Sequence, residues 1–138
     1  MSARDAFHNL VKSALQKEGW TITHAPFHLR MGLVDMYIDL GAEKIIAAEK
    51  EGQKIAVEIK SFSGTSAISD FHNALGQFIN YRYALAEKDV ERKLFLAVPL
   101  ETYDSFFVLP FIQSVIQKSQ LNLILYDIDK EEVAQWQM

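Results

Sequence analysis

Apolar side chains recur three and four positions apart in two long stretches of the chain, the spacing of an amphipathic helix. The first stretch predicts a helix over about residues 3–18, ended by Gly19. The second predicts a helix over about residues 67–86, capped by Ser66 or Ser69. Alternating or continuous apolar runs predict strands around these helices. The predicted strands cover residues 20–24, 35–40, 45–49, 55–61, 93–98 and 121–126.

The order of these elements favours an α/β sandwich with a mixed sheet, in the core order α-β-β-β-α-β followed by a further helix and strand. Strands 55–61 and 93–98 flank the second long helix, so we expect a right-handed crossover that sets them side by side and parallel. Residues 27–33 fit either a loop over a site or part of an edge strand. The tail with Val133 and Trp136 fits either an edge strand or a cover on the core. Residues 1–138 are expected to form a single domain.

Three aromatic residues and one arginine are notable for their expected burial. Pro110 suits the first turn of a helix, and Phe111 is predicted to face the core from it. Phe106 and Phe107 are predicted core residues as well. Arg82 falls within the apolar stripe of the second long helix, which predicts either a buried partner such as a carboxylate or a stem that reaches solvent.

Composition narrows the function classes. A net charge of −4 gives no overall attraction to nucleic acid, which argues against a protein that coats DNA non-specifically. A DNA-processing enzyme stays open, because a bound cation inverts the local charge of an acidic site. The absence of cysteine excludes disulfides and thiolate chemistry. No apolar run approaches the roughly 18 residues of a membrane span, and the first residues lack the apolar region of a signal peptide, so we expect a cytoplasmic protein without membrane association.

The strand predicted over residues 55–61 has two different faces, because successive side chains point to opposite sides of a strand. One face is apolar and suited to packing on a helix. The other, expected to be half-exposed, carries a carboxylate and an ammonium beside a small side chain. The apolar face holds Ile55, Val57 and Ile59, and the polar face holds Ala56, Glu58 and Lys60.

Asp39 lies on the strand predicted just before this hairpin, so its carboxylate is expected near that of Glu58. These two are the predicted carboxylate ligands of Mg²⁺ or Mn²⁺, with the backbone carbonyl of Ile59 as a further ligand. Lys60 is predicted to orient the attacking water or to stabilise charge in the transition state. The pattern therefore favours phosphodiester hydrolysis, although Glu-x-Lys on a strand is also typical of a solvated sheet face.

The second long helix adds a polar pair one turn apart. Gln77 and Tyr81 are expected along one edge of this helix, in line with Asp70 and Ala74. That edge is predicted to overhang the end of the strand that carries Glu58. The alternative is an ordinary boundary between the polar and apolar faces of the helix.

An aspartate, a strand-borne Glu-x-Lys and a helical Gln-x-x-x-Tyr together resemble the PD-(D/E)XK superfamily of restriction-endonuclease-like nucleases, particularly its RecB-like branch. The resemblance implies metal-binding and catalytic roles for Asp39, Glu58 and Lys60. It places Gln77 at the catalytic site and Tyr81 against bound DNA. The residue before Asp39 is isoleucine, where the superfamily name has proline.

Longer segments resemble the XisH family, the fdxN element excision controlling factors of cyanobacteria. They include Ala-Val-Glu-Ile-Lys-Ser-Phe at 56–62, Ser-Asp-Phe-His-Asn-Ala-Leu-Gly-Gln-Phe at 69–78 and Leu-Ala-Val-Pro-Leu at 96–100. This resemblance implies programmed, site-specific excision of a DNA element, with a site-specific recombinase and an XisI-type partner protein. One hypothesis is a DNA-binding protein of the nuclease fold with Mg-dependent phosphodiesterase activity. The other is a catalytically silent subunit that regulates the recombinase or the XisI-type partner through protein contacts. A homodimer is expected if both DNA strands are cut, since two cuts call for two sites.

Overall fold

The computed structural model describes residues 3–35 and 45–138, and within them the helices and strands follow the apolar pattern closely. Four α-helices, one π-helical turn and eight strands occur in these ranges. In chain order they are α1 (Ala3–Lys17), β1 (Thr21–His24), β2 (Arg30–Met31), β3 (Val34–Asp35), β4 (Ile45–Lys50), β5 (Gln53–Ile59), α2 (Ala67–Lys88), β6 (Arg92–Pro99), α3 (Leu100–Thr102), the π-helical turn (Tyr103–Phe107), α4 (Pro110–Ser119), β7 (Leu123–Asp127) and β8 (Glu132–Gln137).

Six strands form one mixed sheet in the order β1-β4-β5-β6-β7-β8. The β4–β5 hairpin is antiparallel, whereas β5, β6 and β7 run parallel. The predicted parallel crossover through α2 is therefore confirmed, as is the α/β sandwich with a mixed sheet. Strand β8 closes the far edge antiparallel to β7, so the tail is an edge strand, and its Val133 and Trp136 also pack against the apolar core.

Two apolar cores lie on opposite faces of this sheet. The core on the α1 face includes Val57 and Ile59 of β5, both fully buried. The core on the other face joins α2 and α4 to the sheet, and β5 contributes Ala56 to it. The alternation of β5 thus assigns Ile55, Val57 and Ile59 to the α1 face and leaves Ala56 and Glu58 on the α2 face.

The start of α2 is fixed by local hydrogen bonds. The Ser66 hydroxyl accepts a hydrogen bond from the backbone N–H of Ser69 at 3.3 Å, so Ser66 is the N-cap. The carboxylate of Asp70 accepts from the backbone N–H of Gly64 at 3.2 Å. A β-carbon at Gly64 would lie 2.8 Å from that carboxylate, which explains why glycine suits this position. These contacts fix the direction in which α2 leaves β5.

Some predictions differ from the structure. Residues 27–33 contribute β2, which pairs with β3 as a separate two-stranded hairpin. The strand expected over residues 35–40 lies mostly outside the described residues, and Asp35 ends β3. Phe111 was wrongly placed in the core, because its side chain is 72% exposed, whereas Phe107 is fully buried. Helix α4 begins at Pro110, and Phe111 lies on the solvent side of its first turn.

Arg82 reaches past the apolar stripe to the surface. Its Nη1 donates a hydrogen bond to the backbone carbonyl of Gln120 at 3.0 Å, and its guanidinium lies 5.1 Å from the ring centroid of Phe78. Of the two alternatives, the stem that reaches solvent is the one observed.

Across the described ranges, none of the helices has the length and apolar character that a membrane crossing requires.

Candidate functional site

Strand β5 holds Glu58 at the centre of the sheet, with β4 on one side and β6 on the other, and Lys60 follows directly after the end of this strand. Glu58 stands opposite Ile45 of β4 and Leu96 of β6. The Glu58 side chain is fully buried and Lys60 is 7% exposed. A solvated, half-exposed face is therefore wrong for this strand, because both side chains are buried.

Helix α2 brings a phenol and an amide to this covered face. Tyr81 is 3% exposed, and burial together with the negative charge of Glu58 raises the pKa of its phenol. The second cause shows that the Glu58 carboxylate lies within electrostatic range of Tyr81. Gln77 lies one turn earlier, and within the described ranges no hydrogen-bond partner satisfies its buried Oε1 atom. Of the helix edge predicted from the sequence, Ala74 and Tyr81 pack on the α2 side of β5, and Tyr81 lies near Glu58. The predicted position of Gln77 beside Glu58 stays a prediction.

Burial changes what Tyr81 and Ala74 do. Both side chains belong to the α2-side core, with Ala56 facing them from β5. Small side chains at Ala56 and Ala74 allow the helix to approach the strand closely. A DNA contact by Tyr81 stays a prediction. At 3% exposure, the ring is better placed to position its neighbours than to meet a ligand at the surface.

Asp39 lies outside the described residues. The described chain resumes at Ile45, directly opposite Glu58. Residue Ile59 lies between Glu58 and Lys60 in β5, and metal coordination by its carbonyl stays a prediction. Among residues 3–35 and 45–138, no group of three or more histidine, aspartate or glutamate side chains is arranged to hold a metal ion. The predicted Asp39–Glu58 pair includes a residue outside these ranges and stays a prediction too.

The chemistry of this face is that of oxygen donors beside one ammonium group. Glu58 supplies a carboxylate in a low-dielectric environment, and Gln77 supplies an unsatisfied amide oxygen. Carboxylate and amide oxygens are ligands that Mg²⁺ and Mn²⁺ favour. Burying a carboxylate lowers the stability of the fold unless other groups compensate for the lost hydration. Such sites are candidates for function.

Sequence reasoning missed a further buried charge, Arg92 at the start of β6. Its side chain is 4% exposed, with Nε 2.8 Å from the Asp89 carboxylate and Nη1 donating to the Ile55 carbonyl at 3.0 Å. Nη2 lies 3.6 Å from Glu49, and the guanidinium lies 5.1 Å from the centroid of the Phe27 ring. The signal available in the sequence was a charged residue at the start of a nearly continuous apolar strand. We call Arg92 and these four partners the Arg92 cluster.

Fold and site define an α/β-sandwich protein with a buried Glu-x-Lys on its central strand. The family model described as XisH protein matches residues 1–134. The chain therefore belongs to the XisH family. No curated protein matches the chain.

Two solved structures resemble the fold over nearly its whole length. One is an XisH family protein from Nostoc punctiforme PCC 73102, with 50% sequence identity, a TM-score of 0.89, and coverage of 97% of this chain and 100% of that chain. The other is a fdxN element excision controlling factor protein from Anabaena variabilis, with 50% identity, a TM-score of 0.89, and coverage of 97% and 99%. The match extends across both faces of the sheet, so it includes the strand and helix that form the candidate site.

Proposed function

We propose that this protein is a DNA-binding factor of the nuclease fold that takes part in the controlled, site-specific excision of a DNA element. The observation that supports the proposal is the buried carboxylate of Glu58 on β5, which lies within electrostatic range of the buried Tyr81 phenol of α2. Support for the DNA context comes from the similar Anabaena variabilis protein, which is described as a fdxN element excision controlling factor.

The residues on this face fit a divalent cation. The buried Oε1 of Gln77 lacks a donor among the described residues, and a cation or a cation-bound water would satisfy it. Glu58, Asp39 and the carbonyl of Ile59 are the proposed protein ligands of Mg²⁺ or Mn²⁺. When bound, such an ion supplies Lewis-acid stabilisation of a phosphate group.

The chain's own residues would divide the remaining work. The Lys60 ammonium, one pleat beyond Glu58, would orient a water molecule or stabilise negative charge on a phosphodiester. The Tyr81 phenol stays protonated because burial and the Glu58 charge raise its pKa, so its hydroxyl is available to donate a hydrogen bond. Packing of α2 on β5 excludes bulk water from this face, which strengthens each of these electrostatic contacts.

The test is cleavage of supercoiled and branched DNA by the pure protein with Mg²⁺ or Mn²⁺. The informative variant is Glu58→Gln, because it removes the charge and keeps the shape of a fully buried side chain. Glu51→Gln is the matched control, since Glu51 is exposed at the turn of the β4–β5 hairpin. We expect Glu58→Gln to lower the cleavage rate at least roughly a hundredfold and Glu51→Gln to leave it unchanged. Equal cleavage by Glu58→Gln and wild type, or no cleavage under any condition, would count against a phosphodiesterase.

A second candidate function is a catalytically silent subunit that regulates a site-specific recombinase or an XisI-type partner. Exposed apolar side chains at the start of α4 favour it, because Phe111 is 72%, Val108 46% and Leu109 45% exposed. Co-purification with an XisI-type protein tests this candidate. Capture that is lost in Phe111→Ser and kept in Glu58→Gln would support it, and metal-dependent cleavage without any partner would contradict it.

A further inference from the structure

The segment that joins β5 to α2 contains a strained backbone position two residues after Lys60. Phe62 has φ +53°, in the left-handed region that a bulky side chain rarely adopts, because its β-carbon then crowds the following carbonyl oxygen. Among the described residues, the other non-glycine residues with positive φ are Glu51, Gln120 and Glu131, and each of them lies in a turn. Phe62 lies in no such turn, so contacts with the surrounding structure must hold its backbone in this conformation.

The ring of Phe62 makes such a contact. It packs against the α2-side core, and its centroid lies 5.3 Å from that of Phe107 in a T-shaped arrangement. Phe107 is fully buried in the π-helical turn, and its ring centroid lies 5.5 Å from that of Phe71 in the first turns of α2. T-shaped aromatic pairs are favourable beyond the area that they bury. The Phe62 ring is therefore attached to a close-packed part of the core.

The backbone on either side of Phe62 is also held by hydrogen bonds. The N–H of Lys60 donates to the Ala97 carbonyl of β6 at 3.1 Å, directly after the end of β5. The hydroxyl oxygens of Ser61 and Ser63 lie 2.9 Å apart, across the strained residue. Lys60 is only 7% exposed although it begins a connecting segment. A different φ at Phe62 would redirect the chain beside this buried lysine.

We propose that Phe62 is a positioning residue for Lys60. Its ring, packed on Phe107, holds the backbone in the left-handed conformation that keeps the Lys60 side chain buried. Relaxation of this segment would let the ammonium group move into solvent, where it is better hydrated. The inference rests on the proposed function, in which Lys60 orients a water molecule or stabilises charge on a phosphodiester.

The test separates the ring from the backbone conformation. Phe62→Ala and Phe62→Asn both remove the ring, but asparagine adopts the left-handed region more readily than alanine. Phe106→Ala is the matched control, because Phe106 packs against the same core and lies 5.9 Å from the Phe107 ring but is distant from Lys60 in the chain. Each protein is treated briefly with an amine-acylating reagent, and mass spectrometry compares modification of Lys60 with that of the exposed Lys88. Melting temperatures show that each variant is folded under these conditions.

We expect Lys60 to be modified at least about tenfold faster in Phe62→Ala than in wild type, because the lost ring contact no longer opposes the strain. Modification in Phe62→Asn should be at least about threefold slower than in Phe62→Ala, and in Phe106→Ala it should equal wild type. Equal rates in Phe62→Ala and wild type would overturn the role of the ring. Equal rates in Phe62→Asn and Phe62→Ala would overturn the role of the left-handed backbone.

Cleavage of supercoiled DNA by the same proteins tests whether the position of Lys60 matters for function. We expect the cleavage rate to fall in Phe62→Ala and to recover in part in Phe62→Asn, in the order of Lys60 protection. Unchanged cleavage by Phe62→Ala, with Lys60 readily modified, would overturn the positioning role. Wild type that cleaves no DNA would contradict the proposed phosphodiesterase, and the modification rates of Lys60 would still decide whether Phe62 positions that side chain.

Discussion

Replacing Arg92 by methionine should destabilise the protein far more than the same change at Arg82. Both guanidinium groups lie 5.1 Å from the centroid of a phenylalanine ring. Arg92 also makes a 2.8 Å ion pair with Asp89 and donates to the buried Ile55 carbonyl at 3.0 Å. Methionine keeps the apolar stem of either arginine and removes the charge and the donors.

The magnitude follows from these contacts. The charge-assisted bond to Asp89 contributes about 1.5–2 kcal/mol, the bond to the Ile55 carbonyl about 1 kcal/mol and the ring contact about 0.5 kcal/mol. The 3.6 Å pair with the half-exposed Glu49 adds little. Arg92→Met should therefore lower the free energy of unfolding by about 3 kcal/mol. Arg82→Met loses one exposed hydrogen bond and an equivalent ring contact, and should lower it by about 1 kcal/mol.

The assay is urea unfolding followed by circular dichroism, with thermal melting as a second measure. For a chain of this size, a loss of about 3 kcal/mol lowers the melting temperature by roughly 10 °C. A change in the urea midpoint at constant slope would show that stability has changed rather than the compactness of either state. If Arg92→Met loses no more stability than Arg82→Met, the Arg92 cluster does not act as described.

Three further predictions concern the core and pH. Phe78→Ala should destabilise the protein by about 3–5 kcal/mol in urea unfolding, since Phe78 is fully buried, whereas Phe111→Ala should change stability by less than about 0.5 kcal/mol. Burial alone would raise the pKa of Asp89, but hydrogen bonds and charges from Arg92 and Lys54 outweigh burial and lower that pKa. Stability that is present above about pH 4 should therefore be lost as the pH falls below that value, and the loss should be less steep in Asp89→Asn. Burial, with nearby negative charge, raises the pKa of the Tyr81 and Tyr126 phenols, so stability should decline as pH rises above about 10, with a shallower decline in Tyr81→Phe.

The apolar pattern predicted the architecture well, because in most helices and strands the buried side chains recur at the regular spacing of that element. The near-continuous apolar run of β6 and the i, i+4 stripe of α2 each identify their element without tertiary information. Phe111 was placed wrongly because its position on the first turn of α4 depends on how that helix meets the sheet. The β2–β3 hairpin was left open because strands of two residues are too short to show a period.

The candidate site was predicted only in part, because residue spacing identifies faces of strands and helices but not their tertiary surroundings. Alternation along β5 correctly put Glu58 on the face that α2 covers, and helical spacing correctly put Tyr81 near it. The positions of Lys60 and Gln77 relative to that carboxylate stay predictions. The alternation of apolar and polar residues shows which side chains share a face but not whether that face is covered. The sequence therefore suggested a half-exposed face where the structure has a buried one. Arg92 was missed because its partners come from distant segments of the chain, and no local spacing brings them together.

The most direct test of the central claim is a titration of the protein with Mn²⁺, followed by electron paramagnetic resonance of the free ion. The account predicts a saturable site in wild type and in Glu51→Gln, and binding at least about tenfold weaker in Glu58→Gln and in Asp39→Asn. Melting temperatures of the same samples separate loss of ligand from loss of fold. Mn²⁺ binding that is equal in all four proteins, or absent from folded wild type, would contradict the assignment of this face of β5 as a metal site.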